Sequence, residues 1–532
     1  MIRINGIELE IDAAIDDVKK YAAKKIGVSE TDFLSFEIIK QSIDSRKKNR
    51  IKFDYCVDIS LDADEELIAK NFPSNEVVYH EKYNYILPEN KRKSEFRPII
   101  AGFGPAGIFC ALELARAGLK PIVLERGNDV DTRTRDVEKF KKYRILNTSS
   151  NIQFGEGGAG TFSDGKLNTG IKDSRTRQVI REFVLHGAPE EILYSGRPHI
   201  GTDKLPEVIK NIRKEIVSLG GEVRFGEQLT DIFSSNNFVQ GVRVNLRDGS
   251  YYDIETDCLV LCIGHSARDT FHMLYSKGIT MEQKAFSVGA RIEHPQELIN
   301  KSQYGKFWND KRLGSADYKL SNHPLHGRGA YTFCMCPGGV VVNGASEEGE
   351  VVTNGMSNFA RDGENANSAI LVGLEPGFFG DSHPLAGISY QRSIEKKAFK
   401  LGGGDYTAPA QLVGDFLNYR KSVKLGSVKP SCFTGVVMSD MDFVLPNSVT
   451  DEIRKAIFNW DKKIKGFALD DAVLTFPESR STSPVRIVRD EFFQTNIRGL
   501  YSCGEGAGYA GGITSAAADG IKAAEAVLSD ET

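Results

Sequence analysis

A chain of 532 residues, 40% hydrophobic and 26% charged, is too long for one core and is expected to divide into two or three domains. Its balance is that of an ordinary globular protein and excludes a disordered or fibrous one. The net charge of −4 and a pI near 6.2 give no global field for nucleic acid or anionic membrane, and no apolar run reaches the roughly 18 residues of a membrane-spanning helix.

Met1-Ile2-Arg3-Ile4-Asn5-Gly6 shows no basic head before an apolar run, so no signal peptide is expected. Cys56, Cys110, Cys258, Cys262, Cys334, Cys336, Cys432 and Cys503 are scattered, several inside apolar runs, and do not form a disulfide framework. A reducing cytoplasm is the compartment expected. Residues 1–93 read as a separate α+β module. A strand over Ile2 to Leu9 precedes a helix over Asp12 to Lys25, with Ile15, Val18, Ala22 and Ala23 at helical spacing. Two alternating runs, Phe33 to Ser42 and Arg50 to Ser60, follow across a polar turn. A helix over Asp62 to Lys70 and a strand near Val77 to Tyr83 then complete a βαββαβ order. That order predicts a small ferredoxin-like sandwich. The basic turn from Arg46 to Arg50 is a candidate nucleic-acid contact and, equally, a solvated hairpin tip. The polar stretch from Pro88 to Ser94 is a plausible linker.

From Phe96 the pattern changes. The apolar run Pro98-Ile99-Ile100-Ala101 enters Gly102-Phe103-Gly104-Pro105-Ala106-Gly107, a helix over Ile108 to Ala117 follows, Gly118 stops it, and Pro121 to Glu125 reads as the next strand. This is the dinucleotide fingerprint within a βαβ unit. Gly102 permits the tight turn, Gly104 lets the backbone approach a pyrophosphate, and Gly107 lets helix and strand pack closely. The helix N-terminus meets the phosphates. Glu125, with Arg126 beside it, can accept from both ribose hydroxyls, which disfavours a 2′-phosphate and hence NADP at this site.

A second site lies far along the chain. Gly499 to Cys503 reads as a strand ending in Gly504-Glu505, then Gly511-Gly512-Ile513 opens a helix over Thr514 to Leu528. It resembles the element of glutathione-reductase-like flavoproteins that holds the ribityl chain and turns a helix N-terminus toward flavin N1 and O2, where it stabilises the reduced anion. Asp257 to Gly264 resembles the strand that re-enters the FAD domain in that superfamily, with Ile263 in place of the usual threonine. The glycine-dense loop from Asn151 to Lys166, carrying Gly157, Gly158, Ala159, Gly160 and Thr161, cannot be a helix or a central strand. It resembles the segment that touches pyrophosphate and flavin in the fumarate-reductase-like branch. Lys166 could approach the flavin as a charge partner.

Together, Phe154 to Lys166, Gly264 to Thr270, Arg291 to Gln296, Tyr331 to Gly339, Asn354 to Ser357, Asn365 to Ser368 and Gly504 to Gly512 resemble the uncharacterised FAD-dependent dehydrogenases of this length. The resemblance implies an α/β protein whose Rossmann-like FAD-binding domain is built from 96–284 and 477–532, with a β-meander at about 222–256. An inserted α+β, mixed-sheet substrate domain over 285–476 would cap the isoalloxazine. The cofactor expected is FAD, with NAD(P)H only as a transient reductant because a second full fingerprint is missing. A small organic substrate would sit at the seam of the two domains, within hydride-transfer reach of flavin N5.

For catalysis the candidates are Arg291 and His294 (with Glu293 between them) to polarise or bind substrate, His265 just after the re-entry strand, and Arg480 before the last FAD segment. Each has a plain alternative as an ion pair or turn contact. Cys334 and Cys336 point to one face if extended, so buried structural thiols, a redox pair and a metal pair all remain open, although CxC without a second close pair is a poor zinc site. Two rivals stand beside the enzyme. One is a flavoprotein that reads RNA through the N-terminal module, which the acidic balance argues against. The other is a redox sensor built on Cys334 and Cys336.

Overall fold

The computed structural model describes every residue except Tyr83, Leu325, His326 and Thr532. The far end of the strand expected near Val77 to Tyr83 therefore lies outside the described residues. In the N-terminal module β1 (Ile2–Glu10), α1 (Asp17–Ile26), β2 (Phe33–Asp44), β3 (Lys52–Leu61), α2 (Glu65–Lys70) and β4 (Val77–Tyr79) follow one another. Their four strands pair in the order β2-β3-β1-β4. The register of β1 against β3 slips between Ile4 and Ile7, where Gly6 takes φ +67°. The slip moves the buried set from Ile2 and Ile4 to Ile7 and Leu9, so the bulge keeps one face apolar across a change of parity. Helix α1 begins later than the apolar spacing predicts, because the Ala13 N–H closes a turn onto the Glu10 carbonyl.

The second domain is built on β5 (Ile99–Ala101), α3 (Pro105–Arg116) and β6 (Ile122–Glu125). Its five-stranded sheet runs Leu500–Ser502, Leu259–Leu261, β5, β6, Glu222–Phe225. Every pairing is parallel. Helices cover one face, and the antiparallel meander with helix Arg268–Ser276 covers the other, which is why its three-residue strands are wholly apolar or buried. Glu222–Phe225, expected at the start of the meander, is the fifth strand of this sheet. It registers against Ile122–Glu125, and Gly226 at φ +74° turns the chain before the antiparallel meander of Glu227–Ser235, Phe238–Leu246 and Tyr251–Glu255. The strand order reverses between β5 and Leu259–Leu261. Open parallel sheets bind ligands at such a switch point, beyond the carboxyl ends of the strands.

The cap is a seven-stranded sheet in which Phe286–Pro295 is flanked by Asn365–Leu374 and Val473–Glu478, a strand that carries the cap past the boundary expected at residue 476. It is mixed, since Ala408–Leu412 and Val436–Met438 pair in parallel while Phe286–Pro295 pairs antiparallel to both of its neighbours. Both faces of its centre are buried, as is every residue from Phe286 to His294. No described helix is long and apolar enough to cross a membrane.

Candidate functional site

A cavity of about 350 Å³ opens at the carboxyl ends of β5 and β6 and runs to the edge of the cap. Its floor is the fingerprint loop, whose three glycines serve different ends. A Cβ on Gly102, at φ +103°, would lie 2.4 Å from the Cys262 carbonyl oxygen, and one on Gly107 would lie 2.0 Å from that of Gly102. These two are demanded by the backbone's own packing. Gly104 has an ordinary φ of −83°, and its Cβ would meet nothing nearer than the Gly158 Cα at 3.7 Å. What its bareness protects is the cavity.

Two helix N-termini open onto this space, α3 through Gly104 and Pro105, and Ile513–Ser529 through Gly512 and Ile513. The first N–H groups of each helix lack intrahelical partners, so both ends are positive. The helices are held backbone to backbone, since a Cβ on Gly520 would lie 2.1 Å from the Ala106 carbonyl oxygen. One helix therefore fixes where the other ends.

Gly102, Gly104, Pro105, Ala106, Glu125, Arg126, Gly158, Ala159, Gly160, Lys166, Gly264, Gly504, Glu505, Gly511, Gly512 and Ile513 all line the cavity. Gly107, Gly157 and Thr161 stand behind its wall. The Thr161 hydroxyl donates to the Glu156 carbonyl at 3.2 Å, and Gly157 at φ +84° leaves room for that hydroxyl, which a Cβ would meet at 2.0 Å. Glu125 accepts from the backbone N–H of Phe103 at 2.9 Å, Gly127 at 2.8 Å and Gly155 at 3.0 Å. Its carboxylate thus joins the fingerprint to the glycine-rich loop, a role that spacing alone did not disclose. Arg126 pairs with Asp269 and lies over the Phe154 ring at 4.5 Å. Asp164 binds the Ser357 hydroxyl at 2.6 Å and the Arg361 guanidinium and pairs with Lys166. Those cations, outweighing burial, hold its carboxyl well below the usual range.

The four catalytic candidates separate. His265 lines the cavity; its Nδ1 is 3.2 Å from Glu505 Oε1, and its buried Nε2 has no partner among the described residues. Arg480 also reaches the wall, but its guanidinium is committed to the Glu395 and Glu350 carboxylates and to the Ser266 and Ser346 hydroxyls. Arg268 completes that buried network from the parallel-sheet side through Glu347, Glu350 and Glu395. Burial and the adjacent Glu395 push the Glu350 carboxyl up, against the pull of Arg268 and Arg480. Arg291 is fully buried behind the wall. It forks onto Glu478 at 2.8 and 3.0 Å and donates to the Cys334 carbonyl and Asn367 at 2.9 Å. His294 is remote, its Nε2 bonded to the Phe467 carbonyl at 2.8 Å, and burial pulls it down to about 4. Arg291 and His294 sit on a central strand that buries both faces, so their polar groups find partners inside the sheet; Arg480 lies beyond the end of strand Val473–Glu478 and stays at the cavity wall.

The wall also includes residues that motif reading did not assign to the site. Phe333, Cys334, Asn354 and Glu478 come from the cap, and Glu227 and Gln228 from the meander. Chain-distant strands brought together only by the fold leave no local pattern. Cys334 was noticed for its neighbour, and its φ of +44° marks a bulge between Phe333 and Cys336.

Comparison with known proteins bears on the chain as a whole. Residues 285–481 match the family described as FAD-dependent protein, C-terminal domain-like, and residues 1–60 match a domain of unknown function. Among solved structures, the flavin-dependent brominase Bmp2 is similar at 13% identity over 81% of this chain and 78% of that one, with a TM-score of 0.36. The FAD-complexed glycerol-3-phosphate dehydrogenase of Bacillus halodurans is similar at 11% identity over 82% and 65%, with a TM-score of 0.36. Likenesses this slight carry no argument about activity. An uncharacterised protein of Clostridium beijerinckii is 49% identical over 99% of this chain and 98% of its own length. The chain belongs to the same family as that protein.

Proposed function

We propose that the chain binds FAD non-covalently in this cavity and acts as an oxidoreductase on a small organic substrate seated between the parallel-sheet domain and the cap. One observation carries the reading: two helix N-termini and a strip of backbone without side chains converge on a single cavity at the switch point of a parallel sheet. Gly264 and Gly511 border it with nothing within 4 Å of where a Cβ would stand, and Gly104 with only Gly158 so near. The fit extends to an orphaned donor or acceptor, His265 Nε2. Bound FAD would supply two-electron transfer at its isoalloxazine. The N-terminus of Ile513–Ser529 would favour negative charge on the reduced ring. His265, oriented by Glu505, would hold or move a proton at Nε2, while Lys166 provides a fixed positive charge. A nicotinamide reductant would have to visit without a dinucleotide fold of its own.

Stopped-flow reduction with NADH and NADPH, followed by reoxidation with candidate acceptors, tests this reading. His265→Ala is expected to keep FAD and slow a half-reaction that moves a proton by about 10²-fold or more. A loss of FAD instead places His265 in the cofactor's own shell.

A second reading, RNA binding through the N-terminal module, has one observation in its favour. Lys48, at the β2–β3 turn, shares an open hollow with Lys301, Lys462, Lys463 and Lys465. Against it, Arg46 and Arg50 of the same turn are paired with Asp44 and Glu10. Filter binding of tRNA across a salt series decides, since phosphate contacts weaken steeply with salt.

A further inference from the structure

We propose that Cys334 and Cys336 form a dithiol–disulfide couple that passes electron pairs to and from the cavity, with Cys334 as the sulfur presented there. The electron acceptor in this scheme rests on the flavin reading; the chemistry of the pair does not.

The geometry begins with the bulge. Strand Ala330–Cys336 pairs with Asn365–Leu374 as far as Phe333↔Ala369 and resumes at Cys336↔Asn367, so one extra residue is accommodated between. Cys334 takes φ +44° there, a conformation that residues with a Cβ adopt rarely and that concentrates at functional sites. Cys334 borders the cavity, and the Cys336 thiol lies 3.3 Å from the Cys334 carbonyl.

Two cations flank the pair on the Cys336 side. Lys166 Nζ is 3.8 Å from Cys336 Sγ and Arg291 Nη1 is 3.9 Å from it. Thiolates need such surroundings. A hydrogen bond from Cys336, helped by Lys166 and Arg291, holds the Cys334 thiol well below its ordinary range against burial. Cys336 is correspondingly pushed up. The pair thus gives up its first proton readily and its second reluctantly.

A second pair in the same molecule shows what proximity alone provides. Cys262 and Cys503 have their sulfurs 3.3 Å apart, but burial and the neighbouring sulfur push the Cys262 thiol far up, and no cation is among the groups acting on it. By the same rule the Cys262 thiol is the poorer nucleophile.

The step balances. The Cys334 thiolate and Cys336 thiol form one S–S bond, the Cys336 S–H bond breaks, and two electrons and one proton leave. A bound isoalloxazine would supply the two-electron acceptor and take up that proton, and the reverse flow would reduce the disulfide. A disulfide across one intervening residue strains its backbone, which suits a couple that turns over.

The test equilibrates the holoprotein in a series of reduced-to-oxidised glutathione ratios, quenches in acid, alkylates with N-ethylmaleimide and maps the peptides. Cys334 and Cys336 are expected to lose alkylation together, in a peptide lighter by two hydrogens, while Cys262 and Cys503 stay alkylated throughout. Lys166→Met is expected to slow iodoacetamide labelling of Cys334 at mildly acidic pH by about tenfold, one pKa unit. Full alkylation of Cys334 and Cys336 at every ratio, in protein that carries FAD, overturns the proposal and leaves the flavin reading intact, as does oxidation of Cys262 and Cys503 in their place. Disulfide formation in protein that takes up no FAD overturns the flavin reading and leaves the thiol couple. The wild-type chain alone decides between these outcomes.

Discussion

A methyl group added at Gly107 would be driven to 2.0 Å from the Gly102 carbonyl oxygen, whereas one added at Gly104 would find 3.7 Å of clearance and project into the cavity. Substitution should separate the two demands. Gly107→Ala is expected to cost about 3 kcal/mol or more, because backbone must move to relieve the overlap. Gly104→Val is expected to melt near the wild-type temperature and to take up no FAD. Thermal melting and FAD titration of both proteins check the pair, and a folded Gly104→Val protein that binds FAD normally contradicts the placement. At this scale glycine positions were legible in the sequence, since left-handed φ and close backbone contact admit little else. Glu125 was legible as a site residue but not as the bracket joining two loops. Its three backbone donors come from residues 103, 127 and 155, and only the fold brings them together.

Within elements, the βαβ unit and the C-terminal helix could be read because short apolar runs alternate with helical spacing. The fifth parallel strand, Glu222–Phe225, could not: four half-buried residues look the same whether they pair with β6 or open a meander. Strand Phe286–Pro295 shows the other limit. Its charged and imidazole side chains suggested catalysis, yet a central strand with both faces covered turns each of them toward an internal partner. His294 makes a measurable case. Its folded value of about 4 lies below the ordinary 6.5, so its contribution to stability is complete above pH 6.5 and is lost as pH falls through 4. Across that window about 3 kcal/mol should disappear. His294→Gln, which keeps a donor for the Phe467 carbonyl, is expected to show a shallower acid loss in urea unfolding between pH 6.5 and 4. An identical slope contradicts the burial of a neutral imidazole.

For the whole molecule, the seam between parallel-sheet domain and cap is where site and stability coincide. Arg268 and Ser266 from one side meet Glu350, Glu395 and Arg480 from the other with hardly any exposure. Breaking one member leaves buried carboxylates uncompensated, so Arg480→Met is expected to cost about 3–5 kcal/mol in denaturant unfolding. A loss under about 1 kcal/mol would show that water reaches this network. The network fixes the cap over the cavity mouth, and with it the positions of Cys334, Asn354 and Glu478 on the wall. The proposed function gives this cavity one occupant, FAD. The most direct measurement is the absorbance of freshly purified protein, with acid-released cofactor identified by chromatography. A band at about 450 nm, typical of isoalloxazine, is expected with one FAD per chain, both absent from folded Gly104→Val. A spectrally blank wild-type protein that stays blank after incubation with FAD would contradict it.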